Sequence, residues 1–132
     1  MNDLDRENVI EEIEGSGRGE VRAVQSLFEK GITHALTVVA WPGSLAVSHW
    51  TDEAWNFLGD ARRRLEPSTI RRLSAEEMYA PALRDVHRLR RTHSELPRPL
   101  PALAPFTLDE LRDEDFIAQD MIARIRDAAP AV

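Results

Sequence analysis

Between Val21 and Val39 the apolar residues return at the spacing of a helix and not of a strand, which limits what the rest of the chain can build. Val21, Val24, Phe28, Gly31, Ala35, Val38 and Val39 project to one wide face at 100° per residue, with Leu27 and Ile32 at its margins. Arg22, Ser26, Lys30, Thr33 and Thr37 fall on the other side. The segment from Gly19 or Glu20 to Ala40 is therefore expected to be a helix and the spine of the core. Gly31 stands at the centre of its apolar face. It would let a second helix approach closely, at about 1 kcal/mol in helix propensity against alanine.

The remaining segments read as helices arranged around that spine. A first helix is expected from Asp3 to Glu14, with Val9, Ile10 and Ile13 as its apolar stripe and Glu7, Glu11 and Glu14 opposite. Glycines 15, 17 and 19 are expected to break it. Trp41-Pro42-Gly43 ends the spine. The next helix is expected near Thr51, with Thr51 as N-cap, Trp50 and Trp55 at staple spacing, and Ala54, Leu58, Ala61 and Leu65 buried. Pro67 opens a short helix over about 68–73, and Ser74-Ala75-Glu76-Glu77 spells a capping box for a longer one to about Thr92. Pro81 should kink or divide that helix.

Four prolines between Leu96 and Pro105 exclude helix and predict a stiff strap laid over the bundle. Thr107-Leu108-Asp109-Glu110 restarts helix with a second capping box, ending near Asp115 or running on to about Ala128. No strand pattern competes. The expected fold is all-α: one domain over residues 1–132, a bundle of five or six helices with a proline-rich connection before the C-terminal helix.

Charge is segregated along the chain. The net charge is −6, but residues 1–60 carry −7, residues 61–98 carry +5 and residues 99–132 carry −4. Overall acidity argues against a protein that coats nucleic acid non-specifically, while the basic middle leaves a local contact open. The acidic and basic segments could also face each other within one fold or across a dimer. The absence of cysteine excludes disulfides, thiolate metal sites and a cysteine nucleophile. The start, Met1 to Arg6, has no export signal, and the longest apolar run, Ala35 to Trp41, is too short to span a bilayer. A cytoplasmic location without membrane contact is the expectation.

Several pieces occur together in one order: Glu7-Asn8-Val9-Ile10-Glu11-Glu12-Ile13-Glu14, then His34 in the long helix, then His49-Trp50. Glu66-Pro67-Ser68 and Leu96-Pro97 follow as punctuation, and Thr107-Leu108-Asp109-Glu110-Leu111-Arg112-Asp113-Glu114-Asp115-Phe116 stands near the end. In these motifs the chain resembles, over about residues 3–116, the bacterial family called domain of unknown function 29. It departs from the usual pattern in lacking an acidic and aromatic lead-in and in having Thr37 where a lysine is common. Residues 117–132 form a C-terminal extension. The resemblance implies an all-helical fold and no assigned activity.

The best candidate for binding is the arginine set Arg62, Arg63, Arg64, Arg71, Arg72, Arg84, Arg88 and Arg91, to which Arg90 also belongs by position. Arginine outnumbers lysine 16 to 1, and its planar fork suits carboxylates and phosphates. These arginines could grip an acidic partner or a nucleic-acid backbone, or pair with the acidic ends of the chain itself. Glu11, Glu14 and His34 are the residues a metal would use. However, the glutamates face away from the apolar stripe and no Glu-x-x-His occurs, so no metal or cofactor is expected. His34 is expected to hydrogen-bond at a helix interface, and His93 to contact a helix C-terminus. No G-x-S-x-G elbow is present, and Gly15 to Gly19 follows a helix and lacks a P-loop lysine.

The reading that follows is a non-enzymatic protein-interaction module. Its partner would be another protein or a second copy of the chain, with Ile117, Met121 and Ile125 as an exposed dimer stripe. The alternatives are a nucleic-acid-linked regulator using the arginines, and a metal-dependent enzyme using Glu11, His34 and their neighbours.

Overall fold

The structure, a computed structural model, describes residues 3–131, with side chains from residue 17 to residue 131. The side chains of Glu7, Glu11 and Glu14 lie outside the described residues. Six helices follow one another: α1 (Asp3–Ala40), α2 (Val47–Arg63), α3 (Pro67–Ile70), α4 (Ala75–Leu89), α5 (Leu108–Arg112) and α6 (Ala118–Ala128). The chain is all-helical, as its periodicity indicates.

The spine is longer than expected. Helix α1 runs 38 residues, about 57 Å at the usual rise, straight through the glycines that should have broken it. Glycine keeps both its N–H and its C=O, so the i→i−4 ladder passes through it. Only a proline or a left-handed turn enforces a stop, and no glycine among the described residues has positive φ. The buried core begins at Val24 and continues along α1 through Phe28, Ile32, Ala35, Leu36, Val38 and Val39 to Trp41.

Helix α2 packs against that face at Gly31, as the sequence suggests. A Cβ at Gly31 would lie 3.3 Å from Leu58 Cδ2 and 3.5 Å from the Ala54 carbonyl oxygen, and both α2 residues are buried. The start of α2 differs from expectation. Ser44 Oγ accepts from the Ala46 N–H at 3.1 Å, and the helix begins at Val47, so Thr51 is not its N-cap. Thr51 lies inside the first turns and its hydroxyl donates to the Val47 carbonyl at 2.8 Å. The staple pair separates accordingly: Trp50 is half-buried against the core, while Trp55 faces outward.

Pro67 stands at the first position of α3, and Ser74 caps α4 by accepting from the Glu77 N–H at 3.4 Å. Pro81 neither kinks the chain out of helix nor divides it. Helix α4 continues past it to Leu89, with Met78, Tyr79, Ala82 and Val86 holding it to the core on both sides of the proline. Burial of these four side chains outweighs the single hydrogen bond that proline removes.

Hydrogen bonds fasten the strap along its length, the last from Arg124 Nη1 to the Pro105 carbonyl at 3.3 Å. The Trp41 indole N–H donates to the Glu95 carbonyl at 2.9 Å, and the Arg98 N–H donates to the Ala40 carbonyl at 2.9 Å. The Tyr79 hydroxyl donates to the Pro101 carbonyl at 2.5 Å, and the Ala104 N–H donates to Glu76 Oε1 at 2.8 Å. Burial, with Glu76 adding to it, pushes the Tyr79 phenol above its ordinary range and keeps it a donor.

Beyond the strap, Thr107 and Glu110 close the expected capping box around α5, which ends at Arg112. Arg124 of α6 grips the same Glu110 carboxylate with both ends of its fork, at 2.6 and 2.9 Å. That hydrogen bond holds the Glu110 carboxyl below the usual carboxylate range. Helix α6 starts after Ile117, whose N–H donates to Asp120 Oδ2 at 3.2 Å. Its apolar stripe turns inward: Met121 and Ile125 are fully buried against α1 and α2. The expected exposed stripe of Ile117, Met121 and Ile125 is therefore corrected, with only Ile117 half-exposed. A bundle whose spine buries so wide a face needs α6 to cover it.

Two substitutions test the packing of α1. Gly19 is exposed and a Cβ there meets nothing within 4 Å, so Gly19→Ala should raise unfolding stability by about 0.5–1 kcal/mol. Gly31→Val should lower it by about 1–3 kcal/mol because Leu58 has no room to retreat. Urea denaturation measures both. A neutral or destabilising Gly19→Ala would mean that α1 bends or stops at the glycines.

Candidate functional site

The arginines do not act as one ridge. Arg62, half-buried at the end of α2, donates through Nε to the Leu111 carbonyl and through Nη2 to the Phe116 carbonyl, both at 2.8 Å. Burial lowers its affinity for its proton, and Asp113 and Glu114 oppose that shift. It is a clamp that closes the 111–116 corner onto α2, not a free hand for a partner. Arg63 pairs with Asp60 one turn back, and Arg64 forks onto the Glu20 carboxylate of α1 at 3.2 and 3.3 Å. Arg88 pairs with Asp85 at 3.3 Å. Among the described residues Arg71, Arg72, Arg84 and Arg91 make no ion pair. All four are exposed, and Arg84 acts through its charge on half-buried Glu29, whose carboxyl is raised by burial and by Asp85.

The basic character at one end of the bundle has a further structural reason. A recess there is lined by Val39 near the end of α1, Arg126 and Ala129 at the end of α6, and Arg98 of the strap. The adjoining recess is lined by Val86 and Arg90 at the end of α4 and again by Arg98. Three helix C-termini thus finish around Arg98, and Arg90, Arg98 and Arg126 offset their partial negative charges.

The histidines divide. His34 Nδ1–H donates to the Lys30 carbonyl at 2.6 Å within its own helix, and its ring leans on Phe57 of α2 at 5.3 Å. Glu11 and Glu14, its companions in the metal reading, have side chains outside the described residues. His93 lies beyond the end of α4 and makes no helix-end contact of the kind expected. Its ring stacks on Trp41 at 4.0 Å and meets the edge of Trp50 at 5.9 Å, so one imidazole joins the end of α1, the start of α2 and the strap. His93 lies 52 residues after Trp41 and 43 after Trp50, and no local pattern announces the cluster.

A further recess, with exposed apolar side chains in its wall, lies between α2 and the 114–118 corner. It is an open groove of about 210 Å³. Trp55, Leu58, Gly59 and Arg63 of α2 line one side, and Glu114, Ile117 and Ala118 of the 114–118 corner line the other. Trp55 is 52% exposed, one of the few large apolar side chains so placed. Arg62 holds the two walls together from beneath.

The model of a family described as a domain of unknown function, DUF29, matches residues 1–117. The chain belongs to this family. No curated protein matches the DUF29 chain. It is similar in structure to an α-helical protein of unknown function from Rhodospirillum rubrum, at TM-score 0.82 and 25% identity. That likeness covers 95% of this chain and 80% of the other. Neither finding attaches an activity to the fold. No helix among the described residues of the DUF29 chain is long and apolar enough to cross a membrane.

Of the residues the sequence singles out, Ile117 alone of the dimer stripe and Arg62 and Arg63 of the arginine set border the groove. Arg62→Ala should cost about 2–4 kcal/mol of unfolding stability, because two carbonyls lose a charged donor. Arg88→Ala should stay within about 0.5 kcal/mol, as an exposed pair contributes little. Thermal and urea melts distinguish a clamp from a surface arginine. Equal effects at the two positions would contradict the assignment.

Proposed function

We propose that this DUF29 chain is a non-enzymatic protein-interaction module that receives a partner in the groove between α2 and the 114–118 corner. The observation that carries this reading is Trp55. A large aromatic side chain half in water beside Gly59 and Ile117 is the arrangement that a partner's contact surface completes. The groove has an apolar floor at Leu58 and Ala118 and a charged rim at Arg63 and Glu114, the layout of an interface core with a polar edge. The arginines support a phosphate-binding reading less well, since four of the eight are engaged within the chain.

A photo-crosslinking amino acid at position 55, introduced in the cells that make the protein, tests the reading. Protein adducts are expected from position 55 and not from exposed Ala80 on α4. Adducts to nucleic acid alone, or no adduct at position 55, would overturn it.

A further inference from the structure

We propose that the occupant of the groove is a second copy of this chain, docked through antiparallel pairing of the two α2 helices about a two-fold axis between Phe57 and Leu58. This inference rests on the reading of the groove as a protein-docking site and adds the identity of the partner.

The outer face of α2 carries the argument. Ser48, Asp52, Trp55, Asn56, Gly59 and Arg63 fall within about 100° of one another on the helical wheel. Five are exposed and Gly59 is half-exposed. The face holds one acid and one base, eleven residues or roughly 16–17 Å apart, with small or polar residues and Trp55 between them. Its charge pattern is antisymmetric about its midpoint.

A two-fold axis at that midpoint sets Asp52 opposite the partner's Arg63, and Arg63 opposite the partner's Asp52. A parallel pairing would set like against like. Self-complementarity of this kind is what an isologous interface requires, because each patch must satisfy its own copy.

The same register places Gly59 opposite the partner's Asn56 and next to the partner's Trp55. A Cβ at Gly59 would meet the guanidinium of Arg63 at 3.3 Å, so the hollow there opens when this exposed side chain turns away to the partner's carboxylate. The missing side chain lets the two helices approach closely, and it leaves the hollow that an indole fills. Each Trp55 then exchanges water for the partner's groove, walled by Ile117 and Ala118. The Arg63–Asp60 pair within one chain is exposed on both sides, so Arg63 can turn to a second carboxylate at little cost.

Sedimentation equilibrium of the full chain across a wide concentration range tests the pairing. The wild-type chain is expected to dimerise and Trp55→Ala to abolish dimerisation, with helicity and melting temperature retained. Asp52→Arg and Arg63→Asp should each weaken self-association by about tenfold or more, since each sets like charges together twice. Mixing the two single variants in equal amounts should restore the dimer, because both pairs across the axis are then of opposite sign. Single reversals without effect, or a mixture that fails to associate, would overturn the register. A wild-type chain that stays monomeric throughout would overturn self-docking. In that event, a crosslink from position 55 to a different protein leaves the docking site standing, and no protein adduct removes both.

Discussion

The packing of α2 onto α1 at Gly31 is the contact on which the rest of the molecule depends. Because no side chain separates the helices there, Leu58 and Ala54 rest directly on the spine, and α2 is fixed in rotation as well as position. That rotation turns Ala54, Leu58 and Ala61 inward and leaves Trp55, Gly59 and Arg63 on the outside. It also aims Arg62 sideways, where it captures two carbonyls of the 111–116 corner and forms the second wall of the groove. A missing side chain on α1 thus determines which face of α2 stays exposed.

The strap and α6 complete this arrangement from the opposite direction. Prolines hold residues 97–105 out of helix, and hydrogen bonds from the Trp41 indole, the Tyr79 hydroxyl and the Arg98 and Ala104 N–H groups fasten residues 95–104 across the ends of α1 and α4. The chain is thereby returned to the α2 side, where α6 buries Met121 and Ile125 against the spine. Arg124 locks α6 to the cap of α5 through Glu110, so the 114–118 corner lies between two fixed points. A groove wall held at both ends has the preorganisation that the proposed docking requires.

Much of this was legible in local sequence. The core face of α1, the close approach at Gly31, the caps at Ser74 and Thr107, and the strap follow from periodicity and side-chain chemistry within a few residues. Where the structure departs from the local pattern, a longer-range force prevails. The glycines near residue 17 and Pro81 weaken helix locally, yet neither stopped its helix, and around Pro81 burial on both sides held α4 together. The stripe of Met121 and Ile125 is apolar on either reading, and its inward turn depends on α1 and α2, which lie far away in the chain, so local periodicity does not reveal it. Arg62 could not be separated from its neighbours in the sequence, since its acceptors are backbone carbonyls about fifty residues away. The Trp41–His93–Trp50 cluster and the groove are equally nonlocal.

The central proposal is that two copies of the chain dock through the outer face of α2 and the 114–118 corner. Amide hydrogen exchange, compared between dilute and concentrated solutions of the full chain, tests it most directly. The account predicts added protection at high concentration confined to residues 52–63 and 114–118, with the solvent face of α4 unchanged. Protection that appears on α4, or no dependence on concentration at all, would contradict it.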